Sequence, residues 1–193
     1  MPTGSKSADP QSPEPDSIDS ATSSAVSSDH KASSGNETVS EWVVTVDTVF
    51  PNDANPLGSL FGGRALQLMD VNAAVACARF CRSVVVTAST EPIDFRNPIY
   101  VGEIIEVKSR VAWTGETSMI VRCEVHGENP LSGERRLCTV GHMNFVAIDD
   151  AGQPVKVPRL RIETELERRH WETGKRVRDD IDRRRQRKAY EPS

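Results

Sequence analysis

Apolar residues follow two different patterns along the chain, and each pattern predicts a different kind of element. From Asp53 to Arg82 the sequence opens with turn residues, passes Gly62-Gly63, and then runs for about twenty residues without glycine or proline. On a helix of 3.6 residues per turn, this run places apolar side chains on every face, which is typical of a buried helix. Its many alanines favour close packing against an element that wraps around it.

Five other segments are rich in β-branched and aromatic residues, and they predict strands. They are residues 41–50, 84–95, 104–113, 118–126 and 135–148. Turn residues such as Asn97-Pro98 and Asn129-Pro130 separate them. The order predicts an α+β domain: one strand, a long helix, then antiparallel strands. A helix that is apolar all round needs a sheet curled about it and a cover on the open side. A second copy of the chain is the simplest cover, so we expect a homodimer.

The two ends of the chain differ from this middle region. Residues 1–38 are rich in Ser, Asp, Pro, Ala and Thr, a composition that predicts a disordered tail. Residues 161–193 interleave acids and bases, which predicts a charged helical extension. The folded domain is therefore assigned to residues 39–160.

Charge and composition exclude several classes of partner. The net charge is −4 and the sequence pI is about 5.6, so we expect no bulk attraction to nucleic acid. No segment reaches the ~18–20 continuous apolar residues of a membrane span, so no membrane insertion is expected. The first residues have neither a basic start nor an apolar core, which argues against a secretory signal and favours a cytoplasmic location.

The chain contains four cysteines, Cys77, Cys81, Cys123 and Cys138. A zinc site would need further ligands such as His126 or His142, and no pair has C-x2-C spacing. We expect reduced thiols in the core and no metal.

One carboxylate, Asp70, lies inside the predicted buried helix. Its neighbours one turn away include Leu66 and Ala74, and Cys77 lies two turns away. An ionised carboxylate among such neighbours is costly unless it is hydrogen-bonded, paired or used in catalysis. From these residues alone, a structural role beside Arg64 or a neighbouring strand and a catalytic role both stay open.

Short motifs follow one another along residues 42–160. They include Asp53-Ala54-Asn55, Phe61-Gly62-Gly63, Leu68-Met69-Asp70, Val86-Thr87-Ala88-Ser89, Ile93-Asp94-Phe95, Gly102-Glu103, Gly115-Glu116-Thr117-Ser118-Met119 and Pro154-Val155-Lys156-Val157-Pro158. Each motif is weak alone, but in this order they resemble the hotdog-fold acyl-CoA thioesterases. The resemblance implies an antiparallel sheet wrapped around one long central helix.

The resemblance also implies a function and its residues. The catalytic Asp and Asn of that family fall at Asp70 and Asn55, with Asn55 of one subunit meeting Asp70 of the other. The implied reaction is hydrolysis of acyl-CoA to a free acid and CoA, with Asp70 as general base or as nucleophile. Backbone N–H groups of Gly62 and Gly63, at the start of the helix, would hold the developing oxyanion.

The same resemblance places Thr117 and Ser118 beside the CoA site as polar contacts. The phosphates of CoA need cations, and five arginines are unranked candidates: Arg64, Arg96, Arg122, Arg159 and Arg161. CoA enters as part of the substrate, and no other cofactor is expected. Relatives often assemble as trimers of dimers, so a hexamer is implied by resemblance only.

Two other functions stay open. A hotdog hydratase or dehydratase usually needs a positioned His with its acid, and no such His accompanies Asp70 in the helix. A non-catalytic module that binds acyl-CoA would need no carboxylate beside the thioester. His142 is interpreted as an ordinary strand residue, and the absence of a G-x-S-x-G elbow argues against a serine hydrolase.

Overall fold

The computed structural model describes residues 37–190, and the side chains up to residue 187. The elements in chain order are β1 (Glu37–Thr38), β2 (Val43–Thr48), α1 (Gly62–Cys81), β3 (Val84–Thr90), β4 (Ile104–Thr114), β5 (Ser118–Glu128), β6 (Arg135–Ile148), β7 (Arg159–Leu160) and α2 (Glu165–Tyr190), with a 3-10 turn at Pro51–Asp53. The tail predicted for residues 1–38 lies outside the described residues except for its last two, which form β1.

Five strands form one antiparallel sheet in the order β2-β4-β5-β6-β3. Helix α1 contacts all five strands from one side, so the sheet wraps around it. The predicted hotdog fold is confirmed. Strand β6 has the predicted bounds, whereas the strand predicted for residues 84–95 ends at Thr90. A register shift between Thr87 and Ser89 weakens its pairing with β6, and Pro92 has no N–H to continue the ladder.

Helix α1 is buried on one face only. Its buried stripe recurs every three or four residues, at Ala65, Met69, Asn72, Ala73, Ala76, Cys77 and Phe80. On the other side Val71 is 59% exposed and Val75 is 38% exposed. The prediction of a helix buried all round is therefore corrected for the single chain, because one sheet covers only one side of a helix.

Helix α2 packs on the sheet over β4 and β5. It begins at Glu165, four residues later than predicted, because Arg159–Leu160 first pair with β1 as two short parallel strands. A buried ion pair of 2.7 Å joins Glu167 to Arg110 on β4, and Ile181 is buried farther along the helix. Neither described helix is long and apolar enough to cross a membrane.

Candidate active site

A cavity of about 330 Å³ lies beside the N-terminus of α1. Its wall contains Asn55 and Gly62 together with apolar residues. The lining is Asn55, Ser59, Leu60, Gly62, Ala65, Phe95, Arg96, Asn97, Pro98, Ile99, Val125, Cys138 and Thr139. The cavity therefore combines an apolar wall with polar groups from the loop that precedes the helix.

Asn55 is fixed by its own loop. Its Oδ1 accepts from the backbone N–H groups of Leu57 (2.9 Å) and Ser59 (3.3 Å). Its Nδ2 donates to Ser59 Oγ at 2.9 Å. An amide NH₂ carries two hydrogens, so one N–H of Asn55 has no partner among the described residues. The loop thus holds the side chain in place and leaves one donor to offer a ligand.

The start of α1 supplies two more donors. No hydrogen bond within residues 37–190 uses the backbone N–H of Gly62 or Gly63, whereas Arg64 and Ala65 both donate to Phe61 O. The first N–H groups of a helix have no partner inside it. A Cβ added at Gly63 would meet nothing within 4 Å, so open space adjoins the backbone there. Both donors can approach an oxyanion.

Asp70 lies farther along the same helix and is partly buried. Its Oδ1 accepts from Thr87 Oγ1 on β3 at 2.7 Å. The alternative partner Arg64 instead binds Asp53 at 3.0 Å, with Asp47 at 3.7 Å. Asp70 is therefore held by a hydroxyl from a neighbouring strand and not by an arginine.

One chain does not bring Asn55 and Asp70 together. Asp70 is not part of the cavity wall that contains Asn55. It follows Gly62 by eight residues, or about 12 Å along the helix at 1.5 Å per residue. The two residues make no hydrogen bond with each other in the described part of the chain.

Thr87 is a site residue that sequence reasoning left out of the candidate list. It lies in the Val86–Ser89 motif, and its pairing with Phe145 in β6 turns its side chain towards α1. The motif was the signal that could have identified Thr87 in the sequence. Its hydrogen bond with Asp70 could not be predicted, because that contact depends on how an edge strand lies against a helix.

Ser118 and Thr117, the predicted CoA contacts, already have partners within the chain. The side chain of Ser118 is buried, and its Oγ accepts from Arg178 Nη1 of α2 at 3.4 Å. Thr117 uses its backbone carbonyl to accept from Ala147 N–H at 3.0 Å. Neither residue lines the cavity that contains Asn55. Both follow Glu116, which with Lys156, Val157, Arg159 and Trp171 forms part of the wall of another cavity of about 600 Å³.

The five candidate arginines now fall into two groups. Three of them pair with acids: Arg64 with Asp53, Arg122 with Glu124 and Arg161 with Glu163. Arg96 lines the first cavity and Arg159 the second, and neither has an ion pair within the described residues. These two guanidinium groups are the better placed to meet a ligand phosphate.

The remaining titratable candidates are unsuited to catalysis. All four cysteines are free, and burial raises the pKa of Cys77, Cys81 and Cys138 and raises that of Cys123 to about 12. Thiols of this kind are poor nucleophiles. Burial, followed by the charges of Arg122 and His170, lowers the pKa of His142 to about 4. The described residues contain no cluster of three or more His, Cys, Asp or Glu side chains that could hold a metal ion.

Comparison with known proteins identifies the family of the chain. The model of the Thioesterase superfamily matches residues 57–134. The chain is 42% identical over 125 residues to an uncharacterized acyl-CoA thioester hydrolase of Bacillus subtilis, covering 65% of this chain and 73% of the relative. It is 32% identical over 132 residues to the cytosolic acyl coenzyme A thioester hydrolase of Rattus norvegicus. That match covers 67% of this chain but only 35% of the rat protein, so the chain spans about a third of its length.

Solved structures show the same fold. An apo-hexameric acyl-CoA thioesterase aligns with a TM-score of 0.74 and 36% identity, covering 77% of this chain and 97% of that one. An acyl-CoA hydrolase of Staphylococcus aureus, in complex with butyryl coenzyme A and coenzyme A, aligns with a TM-score of 0.71 and 31% identity, covering 77% and 92%. The sheet wrapped around α1 and these matches define a hotdog-fold thioesterase. Within that class, the chain belongs to the acyl-CoA thioester hydrolase family.

Proposed function

We propose that the chain hydrolyses acyl-CoA thioesters to a carboxylic acid and free CoA at sites shared between two subunits. Asp70 of one subunit and Asn55 of the other act together in each site. The observation that carries the proposal is the position of Asp70, a partly buried carboxylate of α1 that accepts a hydrogen bond from the hydroxyl of Thr87 beside the uncovered side of the helix. A group of that kind is costly on a face that a partner will cover, unless it has a function.

The uncovered surface supports a homodimer. Val71 and Val75 are exposed on α1, and Val84 and Val86 are exposed on β3. Strand β3 is also an edge of the sheet, and no other strand in the described part of the chain pairs with its outer side. Exposed apolar side chains on α1 and an open strand edge both favour association with a second copy. A hexameric structural neighbour supports assembly of three such dimers into a hexamer.

Spacing in a structural neighbour supports the choice of residues. Solved variants of the S. aureus acyl-CoA hydrolase replace an Asn, an Asp and a Thr with alanine. Along that chain the replaced Asn and Asp are 15 residues apart, and the Asp and Thr are 17 apart. Asn55, Asp70 and Thr87 have the same two spacings in this sequence.

The chemistry follows from the donors and acceptors present. Asp70 takes a proton from water, whose oxygen attacks the thioester carbonyl carbon, while Thr87 holds one carboxylate oxygen still. The free N–H groups of Asn55, Gly62 and Gly63 stabilise the oxyanion. The C–S bond then breaks, and the proton on Asp70 passes to the leaving thiolate. Direct attack by Asp70, giving an anhydride that water hydrolyses, uses the same groups.

We place the CoA moiety towards the β4–β5 turn, where Thr117 and Ser118 lie. Lys156 and Arg159 line the cavity beside this turn, and their charges suit phosphate groups. Ser118 already accepts a bond from Arg178, so its contribution would be to orient that guanidinium. The cytosolic location of the rat relative supports a cytoplasmic enzyme.

Replacement of Asp70 tests the reaction. We expect Asp70→Asn to lower kcat for thiol release by at least about 10²-fold, in the range usual for loss of a general base. Thr87→Val keeps the shape of the side chain but loses the hydroxyl, and we expect a drop of about tenfold because the carboxylate is no longer fixed. Release of the CoA thiol from a panel of acyl-CoAs measures both effects.

Asp150→Asn is the matched control, since Asp150 lies in an exposed turn after β6. Its kcat should equal that of the wild type. Full turnover by a folded Asp70→Asn protein would exclude the mechanism. Tight acyl-CoA binding without any thiol release by the wild type would show a binding module instead.

A further inference from the structure

A largely buried ion pair lies behind the loop that carries Asn55. The side chains of Glu103 and Arg136 are 12% and 23% exposed. Arg136 donates from Nη1 to Glu103 Oε1 at 3.0 Å and from Nη2 to Oε2. This two-pronged contact fixes both the distance and the orientation of the two groups.

The pair holds the segment from Pro98 to Glu103. Arg136 Nη2 also donates to the carbonyl of Pro98 at 2.7 Å. Glu103 Oε2 accepts from the backbone N–H of Tyr100 at 2.7 Å. Arg136 thus contacts the segment at Pro98 and Glu103, and Glu103 also holds Tyr100. Because Arg136 is the second residue of β6, these bonds attach the segment to the start of that strand.

This segment in turn supports the Asn55 loop. Leu60 N–H donates to Ile99 O at 2.7 Å, and Val101 N–H donates to Gly58 O at 3.1 Å. Ser59 and Tyr100 form an antiparallel bridge between these two bonds. Ser59 is the residue whose backbone and hydroxyl hold the Asn55 amide.

We propose that Glu103 and Arg136 are positioning residues that fix the Asn55 side chain for catalysis through the Tyr100–Ser59 bridge. The inference rests on the proposed function of Asn55. A buried ion pair is weak evidence for stability, because desolvation offsets much of its attraction. The pair matters more here for the position in which it holds the Asn55 loop. An amide that must donate to an oxyanion loses most of its stabilisation of the transition state when it is displaced by about 1 Å.

Glu103→Gln tests the proposal, because glutamine keeps the size and one acceptor but removes the charge. We expect kcat to fall about tenfold with KM little changed, because a displaced Asn55 amide would stabilise the transition state less well. Hydrogen exchange of the peptide spanning residues 54–61 should become faster. Glu103→Asp, which keeps the charge, should recover part of kcat.

Glu167→Gln is the matched control. Glu167 forms a comparably buried pair with Arg110, but on α2 and away from the Asn55 loop. We expect it to lower Tm while leaving kcat and exchange at residues 54–61 unchanged. A double-mutant cycle with Asn55→Ala gives the decisive number: Glu103→Gln should cost almost nothing once the Asn55 amide is absent.

An equal loss of kcat with and without Asn55 would overturn the proposal, as would unchanged exchange at residues 54–61 in Glu103→Gln. The exchange measurement needs no turnover, so it remains decisive if no acyl-CoA is hydrolysed. Absence of thiol release by the wild type would instead refute the proposed function.

Discussion

At the scale of the residue, hydrogen bonds distinguish the candidate site from its surroundings. Within the described residues, Asn55 and the first glycines of α1 keep free N–H groups, and the Asp70 side chain has one hydrogen bond, from Thr87. Asn55 and Asp70 were identified as candidates through a resemblance to a family. Thr87 and the Glu103–Arg136 pair could not be identified as site residues from sequence, because their contacts depend on which residues neighbouring elements place opposite each other.

His142 gives a prediction of pH-dependent stability. Burial holds its pKa at about 4 in the folded chain, while an unfolded His titrates near 6.5. Between these values the unfolded state binds a proton that the folded state does not. The free energy of unfolding therefore falls as pH drops from about 6.5 to 4, by up to about 3 kcal/mol from this residue. Urea unfolding of the wild type and His142→Gln at pH 7 and 4.5 measures the effect.

His142→Gln should lose much of the pH dependence of stability. His126 and His170, whose pKa values burial also lowers, should supply the remainder.

Glu167 provides a control because it titrates in a lower pH range. Hydrogen bonds from Arg110 lower its pKa to about 2, so its contribution is present above about 4.5 and is lost as pH falls through 2. Glu167→Gln should leave the change between pH 7 and 4.5 intact. An unaltered pH dependence in His142→Gln would contradict the assignment.

At the scale of the element, the type of each long segment was predictable and its ends were less so. Alternation identified β4, β5 and β6 because each has one face against the core. The two-residue strands β1 and β7 leave no such pattern, and they form only because distant parts of the chain meet. For the same reason, the packing of α2 against the sheet did not follow from its charge pattern.

Gly174 tests how closely α2 packs. Alanine is ordinarily about 1 kcal/mol better than glycine inside a helix. Here an added Cβ would lie 2.8 Å from Trp113 Cβ and 3.4 Å from the backbone of Ala112. We expect Gly174→Ala to lower the free energy of unfolding by about 1–2 kcal/mol, because overpacking outweighs the gain in helix propensity. Urea denaturation measures it.

Lys175→Ala is the neighbouring control, since Lys175 is exposed and, among residues 37–187, forms an ion pair with Asp179 alone, at 2.9 Å. Its effect should stay within about 0.5 kcal/mol. A stabilised Gly174→Ala protein would mean that α2 does not press on Trp113 in solution.

At the scale of the whole molecule, the proposed site requires assembly of two subunits. One chain leaves Asp70 and the exposed valines of α1 uncovered, while Asn55 lines a separate cavity. Subunits that carry either Asn55→Ala or Asp70→Ala should each retain only a small, measurable fraction of wild-type activity alone. Mixed dimers isolated with two affinity tags should regain about half of wild-type activity, because one of the two sites then receives both intact residues.

The reverse mixture is the control. A wild-type subunit paired with an Asn55→Ala/Asp70→Ala subunit should retain only a similarly small fraction, since each site then lacks one residue. If the two residues acted within one chain, the outcomes would be exchanged: the wild-type mixture would keep half of the activity and the first mixture would retain only the small fraction. The pair of mixtures therefore decides between shared and separate sites.

The sequence by itself determined the position of the long helix α1, the order of the long strands and, through ordered motifs, the family and the candidate residues Asn55 and Asp70. These are properties of local periodicity and of short motifs in a fixed order, both of which can be read from the linear sequence. Tertiary structure decided which groups meet: Thr87 with Asp70, Arg136 with Glu103, and Gly174 with Trp113. Such contacts depend on strand register and on the packing of elements far apart in the chain, where a shift of one residue would turn each side chain to the other face.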